Sequence, residues 1–404
     1  MKQLLSLLPL IFLLSCQKNI APEPLFEILN FPGTGGTSFP SLNSDGENLL
    51  LSYVGKLNDT TYGVFYSQFE KDQFGSSQLI TEGSDWFINW ADFPAITQNK
   101  GNLLVHNLQK SAPDTYAYDV KLNVLPQGKA SWNTGLPLHR DSTFTEHGFV
   151  SSIASSDSTF FITWLDGRNT GGEGHDHGGN NGAMSIRAGE VDLEGKVLWD
   201  ELLDARTCDC CQTSAAMTEL GPVVVYRNRS DREIRDIAIT RLVDGRWTEP
   251  MIISPDGWEI KGCPVNGPKV AASGKTVLVS WFTDVNQSAQ VKLAFSSDAG
   301  ASFSAPQLIG KSGDMGRVDV ALLDEENGLV SWMGMENDST FLYVRKVNKA
   351  GDDFPIRKVT TMDPARNSGF PQMEIHGGKV YFAWTDPQEE GSKIGLSRIE
   401  LDFF

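Results

Sequence analysis

The chain has 404 residues, 40% of them hydrophobic, and its 34 Lys and Arg against 51 Asp and Glu give a formal charge of −17. That length and apolar content allow a large buried core. The acidic balance excludes a nucleic-acid binder, which needs Lys and Arg gathered on one face, and a surface that docks on anionic lipid through its own charge.

Met1-Lys2-Gln3 is followed by an apolar run over residues 4–14 and then by Leu13-Leu14-Ser15-Cys16. A positive start, a short apolar stretch and small residues at a cleavage point make a secretory signal. The run is shorter than the ~20 residues a spanning helix needs. Leu-Leu-Ser-Cys resembles the bacterial lipobox. That resemblance implies cleavage before Cys16, lipid on its thiol and amine, and a location in the cell envelope on the periplasmic or extracellular side. An ordinary signal peptide that happens to contain a cysteine is the competing reading. Residues 1–15 then form the signal, 16–24 a lipidated tether, and 25–404 a single domain.

Seven short apolar stretches end in an aromatic residue or His: Tyr53, His106, Trp164, Tyr226, Trp281, Trp332 and Trp384. They recur about every 55 residues, a period that marks a solenoid, propeller or array. Segments such as Phe39-Pro40-Ser41-Leu42, Phe93-Pro94-Ala95-Ile96 and Phe370-Pro371-Gln372-Met373 precede them, and alternating stretches such as 62–67 follow. Alternation bounded by Gly, Asn and Asp is strand and hairpin chemistry, and no stretch has helical periodicity beyond two turns. The fold class is therefore all-β: a propeller of about seven four-stranded blades, with six as the alternative count. The last unit has only three strands, so residues 25–31 supply its fourth and close the ring. Trp164, Trp281, Trp332 and Trp384 are assigned to packing between blades. Trp86 and Trp90 have two readings, blade packing or a platform for a sugar ring.

Ser296-Ser297-Asp298-Ala299-Gly300-Ala301-Ser302-Phe303 fits the pattern Ser-x-Asp-x-Gly-x-x-aromatic. Asp closes such a turn on backbone N–H groups, Gly admits a left-handed conformation, and the aromatic packs between sheets. This Asp-box resembles the hairpin signature of sialidase-like propellers, with Ser296, Asp298, Gly300 and Phe303 in structural roles. The family's catalysis would require three arginines, a Tyr/Glu nucleophile pair and an Asp acid. The place of the first arginine is taken here by Phe39-Pro40-Ser41-Leu42, which has none. Elsewhere Tyr226 with Glu233 matches the pair, Asp166 or Asp92 the acid, and Arg227, Arg229, Arg235, Arg317 and Arg366 the arginines. Local ion pairing on blade surfaces competes with that assignment.

Beyond Cys16, the remaining cysteines are Cys208, Cys210, Cys211 and Cys263. Both segments fall just ahead of the innermost strand, in units four and five, so the repeat makes them neighbours in space. The Gly-rich stretch 166–182 of unit three carries His175 and His177, and Glu146-His147 leads into the same unit. Two readings stand together. An even cysteine number in an exported protein implies disulfides. Thiolate and imidazole together suit Cu or Zn. Three functions follow: a carbohydrate-directed propeller (glycan binder or exo-glycosidase) acting through the rim of units three to five, a metal- or redox-linked envelope protein, and a non-enzymatic scaffold.

Overall fold

The computed structural model describes residues 26–33, 35–170, 182–310 and 313–404. Seven antiparallel sheets, each built on four strands, stand in a ring. The count of seven is thus settled against six. Each blade begins at the channel with its innermost strand. These are Thr37–Ser44, Ile96–Asn99, His147–Ala154, Ser214–Thr218, Lys269–Ser273, Asp314–Leu322 and Gln372–His376 for blades 1 to 7. The apolar stretches seen in the sequence are the second strands, such as Thr159–Asp166, in which every residue is buried. A strand covered on both faces loses alternation and reads as a continuous apolar run. Helix is confined to three three-residue 3₁₀ turns among the described residues.

Ring closure is as expected. Glu27–Ile28 pairs antiparallel with the last long strand, Ser392–Glu400, at Arg398 and Ser397. The Arg398 guanidinium holds both Glu27 and Asp72, which ties this strand to blade 1.

Tryptophans make the contacts between blades. Trp164 of blade 3 packs on Leu104, Leu122 and Val124 of blade 2. Trp281 packs on Val223 and Ile237 of blade 4, Trp332 on Leu278 and Phe295 of blade 5, and Trp384 on Leu329 and Val344 of blade 6. Each buried indole N–H of the first three finds a carboxylate: Asp166 at 3.0 Å, Asp256 at 2.8 Å and Asp314 at 2.9 Å. Without a partner, such a donor would cost roughly 1–3 kcal/mol.

Strand direction sorts the loops. Loops leading into the innermost strands and loops between second and third strands share one face, called here the top. The Asp-box joins third and fourth strands of blade 5 on the opposite face. Its turn is self-contained: Asp298 accepts from the Ser302 amide at 2.9 Å and Ser302 Oγ at 2.6 Å, and Ser296 Oγ accepts from the Gly300 amide at 2.9 Å. Phe303 leans on the blade 4 core, the role its motif implies.

Candidate functional site

The mouth of the channel on the top face is shaped by a repeated irregularity. Innermost strands of blades 1, 3 and 6 break register at Ser38/Ser41, Gly148/Ser151 and Gly316/Asp319. Phe39, Phe149 and Arg317 sit in these breaks with φ of 55°, 52° and 52°. A bulge re-aims one side chain and bends its strand. Here it brings aromatic and cationic groups to the mouth. Phe93 stacks between Phe39 and Phe370, each at 6.3 Å, and Trp90 stacks on Phe370 at 5.7 Å. Guanidinium carbons of Arg317 and Arg366 lie 5.1 and 5.9 Å from the Trp90 ring centroid. Below, the channel holds a cavity of about 160 Å³ lined by Asp92, Thr97, Ser151, Gln212, Lys269 and Gln372 among others.

Blade 4 supplies three of the cysteines. The loop 206–212 is pinned by the Cys208 amide on the Arg227 carbonyl at 2.9 Å and by Gln212, whose amide donates to the Ala91 carbonyl at 2.7 Å. Among the described residues Cys208, Cys210, Cys211 and Cys263 are joined by no disulfide; the first three are buried and Cys263 is half-buried. Cys208 Sγ is 3.3 Å from Cys211 Sγ and 4.0 Å from Cys210 Sγ. Cys263 comes from the blade 5 loop and hydrogen-bonds the Cys210 thiol. Gly267 makes that approach possible: a Cβ there would stand 2.1 Å from the Gln212 carbonyl oxygen. Arg235, fully buried, donates to Cys208 Sγ at 3.2 Å and to Glu233 at 2.8 Å. Glu233 also accepts from Arg229 at 2.8 Å, and Arg229 reaches Asp209 at 2.9 Å. Burial pushes the Cys208 thiol up, but hydrogen bonds from Cys210 and Cys211 and the Arg235 charge outweigh it, holding the thiol well below its usual range.

A second group lies beside it. The Tyr118 hydroxyl is 2.6 Å from Glu146 Oε1 and 3.1 Å from Asp92 Oδ2, all three buried. One hydroxyl has one proton, so the second contact needs a proton on a carboxyl. Burial supplies the reason: it pushes Asp92 to about 7 and Glu146 well above the carboxylate range. Gly148 leaves room, since a Cβ there would meet Asp92 Oδ2 at 1.9 Å. Tyr116 feels the charge of both groups. Burial first, then the charges of Glu146, Cys263 and Cys210, raise its phenol, while Arg366 opposes them. With Phe39 of blade 1 and Arg317 of blade 6, the mouth draws residues from all the blades.

A third cluster sits between blades 2 and 3. The rings of His139 and His147 stack at 3.7 Å. Asp141 Oδ2 lies 2.8 Å from His139 Nδ1 and 3.2 Å from His147 Nε2. The second contact is close enough for ion pairing but is not aligned for a hydrogen bond. Asp166 is taken at both oxygens by Arg168, each at 2.7 Å, and at one by the Trp164 indole. Burial lowers His139. For His147, burial also opposes the charge, but Asp141 and Asp166 outweigh it and raise the ring.

Residues singled out in the sequence fall as follows. Tyr226 does not meet Glu233: its hydroxyl donates to Asp204 at 2.7 Å, while Glu233 binds Arg229 and Arg235. Arg227 donates to the carbonyls of Arg235, Asn266 and Phe282 at 2.6, 2.8 and 2.7 Å and lies over Trp258. Arg317 donates to Ser368 Oγ at 2.6 Å and the Gly369 carbonyl at 2.8 Å. Asp166 belongs to the histidine cluster. Cys16, His175 and His177 lie outside the described residues. Reading by motif missed Tyr118, His139 and Asp141. Glu146 and Asp92 carried a signal, because each stands just ahead of an innermost strand, as the cysteines do.

No family model matches the chain, and no curated protein matches it in sequence. Solved structures do share its fold. A protein of unknown function from Dyadobacter fermentans DSM 18053 superposes with a TM-score of 0.53 at 14% identity, over 93% of this chain and 98% of that one. An ulvan lyase of the polysaccharide lyase group PL25, bound to -[GlcA(1-4)Rha3S]-, gives 0.58 at 10% identity over 93% and 96%. The phage phi92 endosialidase gives 0.50 at 12% identity over 94% and 69%. At such identities the likeness is one of fold: a seven-bladed, sialidase-like propeller.

Proposed function

We propose that this chain is a cell-envelope protein, anchored through lipid on Cys16, whose propeller binds acidic carbohydrate at the channel mouth. One observation carries the reading: the exposed Arg366 and the bulge-borne Arg317 flank Trp90 within 6 Å, beside the buried Glu146–Tyr118–Asp92 cluster. A sugar acid needs an aromatic face, a cation for its carboxylate or sulfate, and polar groups for its hydroxyls. Fold neighbours that act on anionic glycans, an ulvan lyase and an endosialidase, agree with this reading. A carboxyl that keeps its proton near neutrality is also a proton donor at the edge of the site, the role of a general acid. The reading rests on this mouth and not on Tyr226 with Glu233.

Binding of the full chain to sulfated, uronic-acid, sialylated and neutral oligosaccharides tests it. Acidic ligands should bind, and Arg366→Ala or Trp90→Ala should weaken binding about tenfold, the cost of one charged or stacking contact. Failure to bind any acidic glycan, or equal binding of neutral ones, sinks the reading. For the anchor, Cys16→Ser should move the protein from the membrane fraction to the soluble fraction.

A further inference from the structure

We propose that Cys208, Cys210, Cys211 and Cys263 together bind one thiophilic d10 cation, Cu(I) or Zn(II), as a thiolate centre that opens onto the channel mouth. The sulfurs of Cys208, Cys210 and Cys211 all lie within 4.8 Å of one another, while Cys263 stands outside that trio, against Cys210, and would close on a bound ion as the fourth ligand. Thiolates about 2.3 Å from a common ion stand roughly 3.8 Å apart when tetrahedral and roughly 4.0 Å apart when trigonal. The observed 3.3 and 4.0 Å bracket those values. A disulfide would need about 2.05 Å.

Charge favours anionic sulfur here. Arg235 is fully buried and directs a guanidinium N–H at Cys208 Sγ. A thiolate, free or metal-bound, accepts that bond well, whereas a neutral disulfide sulfur accepts it poorly and would leave a buried donor undersatisfied. Arg229, Glu233 and Asp209 then hold Arg235 and the loop in place, as supporting partners around a metal site do.

The site is also preformed across two blades. Gln212 accepts from the Gly267 amide at 3.1 Å, and Gly267 lets the blade 5 loop lie on the blade 4 loop. Arg227 ties the same two loops through the Asn266 carbonyl. Three ligands are buried, and the fourth, Cys263, is half-buried and packs in one cluster with Trp90, Phe93 and Phe370 of the mouth. One side of a bound ion therefore faces the mouth. Soft sulfur donors select Cu(I) and Zn(II) over hard cations. Each ligating thiol gives its proton to solvent, so binding strengthens as pH rises.

The experiment takes the full chain, purified without oxygen. Zinc and copper are measured directly, and the demetallated protein is then titrated with Zn(II) and with Cu(I) against a chromophoric competitor. About one equivalent of metal per chain is expected. Cys210→Ser and Cys263→Ser should each weaken binding at least tenfold while circular dichroism keeps the β signature. Gly267→Ala, which removes no ligand, should weaken binding by separating the loops. A His139→Ala/His147→Ala variant should keep the full equivalent. Preference for copper or for zinc names the ion, and either supports the proposal. The proposal is overturned by four free thiols that bind neither metal at micromolar concentration, by two disulfides in protein never exposed to oxidant, or by metal that the cysteine variants retain. None of these readouts involves carbohydrate, so this result and the glycan result stand or fall separately.

Discussion

Two clusters on the top face have the donors of a metal site, and they differ in what already occupies those donors. In the histidine cluster between blades 2 and 3, both Asp166 oxygens are held by Arg168, and Asp141 stands against both rings. Charge there is balanced within the protein. Between blades 4 and 5, the thiols contact one another and one guanidinium, and no sulfur is bonded to another. Convergence of ligands is common to both. Soft donors that can still shed protons separate a place for a cation from a network that has its own cations.

The sharpest way to break this contrast is Asp166→Ala. It takes the two-point partner from Arg168, which keeps only longer contacts to Asp141 and Asp200, and removes a partner of His147; taking one member from a buried pair costs about 3–5 kcal/mol. Urea unfolding should show that loss, and a change below about 1 kcal/mol would mean that the cluster is not held by ion pairing. Next is metal-linked stability. Saturating Cu(I) or Zn(II) at a hundred times its dissociation constant should raise unfolding free energy by about 2.7 kcal/mol. That gain should vanish in Cys210→Ser and persist in His139→Ala/His147→Ala, as measured by thermal melts with and without metal. A third test is pH. The folded state raises His147 above its ordinary value, so its share of stability is full below about 6.5 and is lost as pH climbs through the raised value. The stability gap between wild type and His147→Gln should thus narrow from pH 6 to pH 9. The smallest effect belongs to the Asp-box. Asp298→Ala should cost about 1 kcal/mol by loss of the Ser302 bonds, and leave metal and glycan binding unchanged.

Much of the fold was legible because burial writes itself into pattern. Second strands such as Thr159–Asp166 are covered on both faces, and their apolar runs gave the period that counts the blades. The same register placed Cys263 beside the loop that carries Cys208, Cys210 and Cys211. Tyr118 was not legible. It sits in an alternating third strand, Tyr118–Leu125, where a phenol reads as one more inward aromatic. Only the fold shows that its hydroxyl reaches Glu146. His139 and Asp141 lie in a crossover with no periodicity, so nothing in spacing marks them. Tyr226 and Glu233 show the converse. Their residue types fit a nucleophile pair, but Asp204 and two arginines claim them first.

The strand that closes the ring has a mechanical consequence. Glu27–Ile28 contributes two residue pairs to blade 7, backed by the Arg398 clamp. Ten residues separate it from Cys16, a reach of at most about 40 Å. With the lipid proposed for that cysteine, any tug from the membrane arrives at this latch. The propeller is then hung from its own seam, and the clamp on Arg398 decides whether load is carried by the whole ring or peels its last strand away.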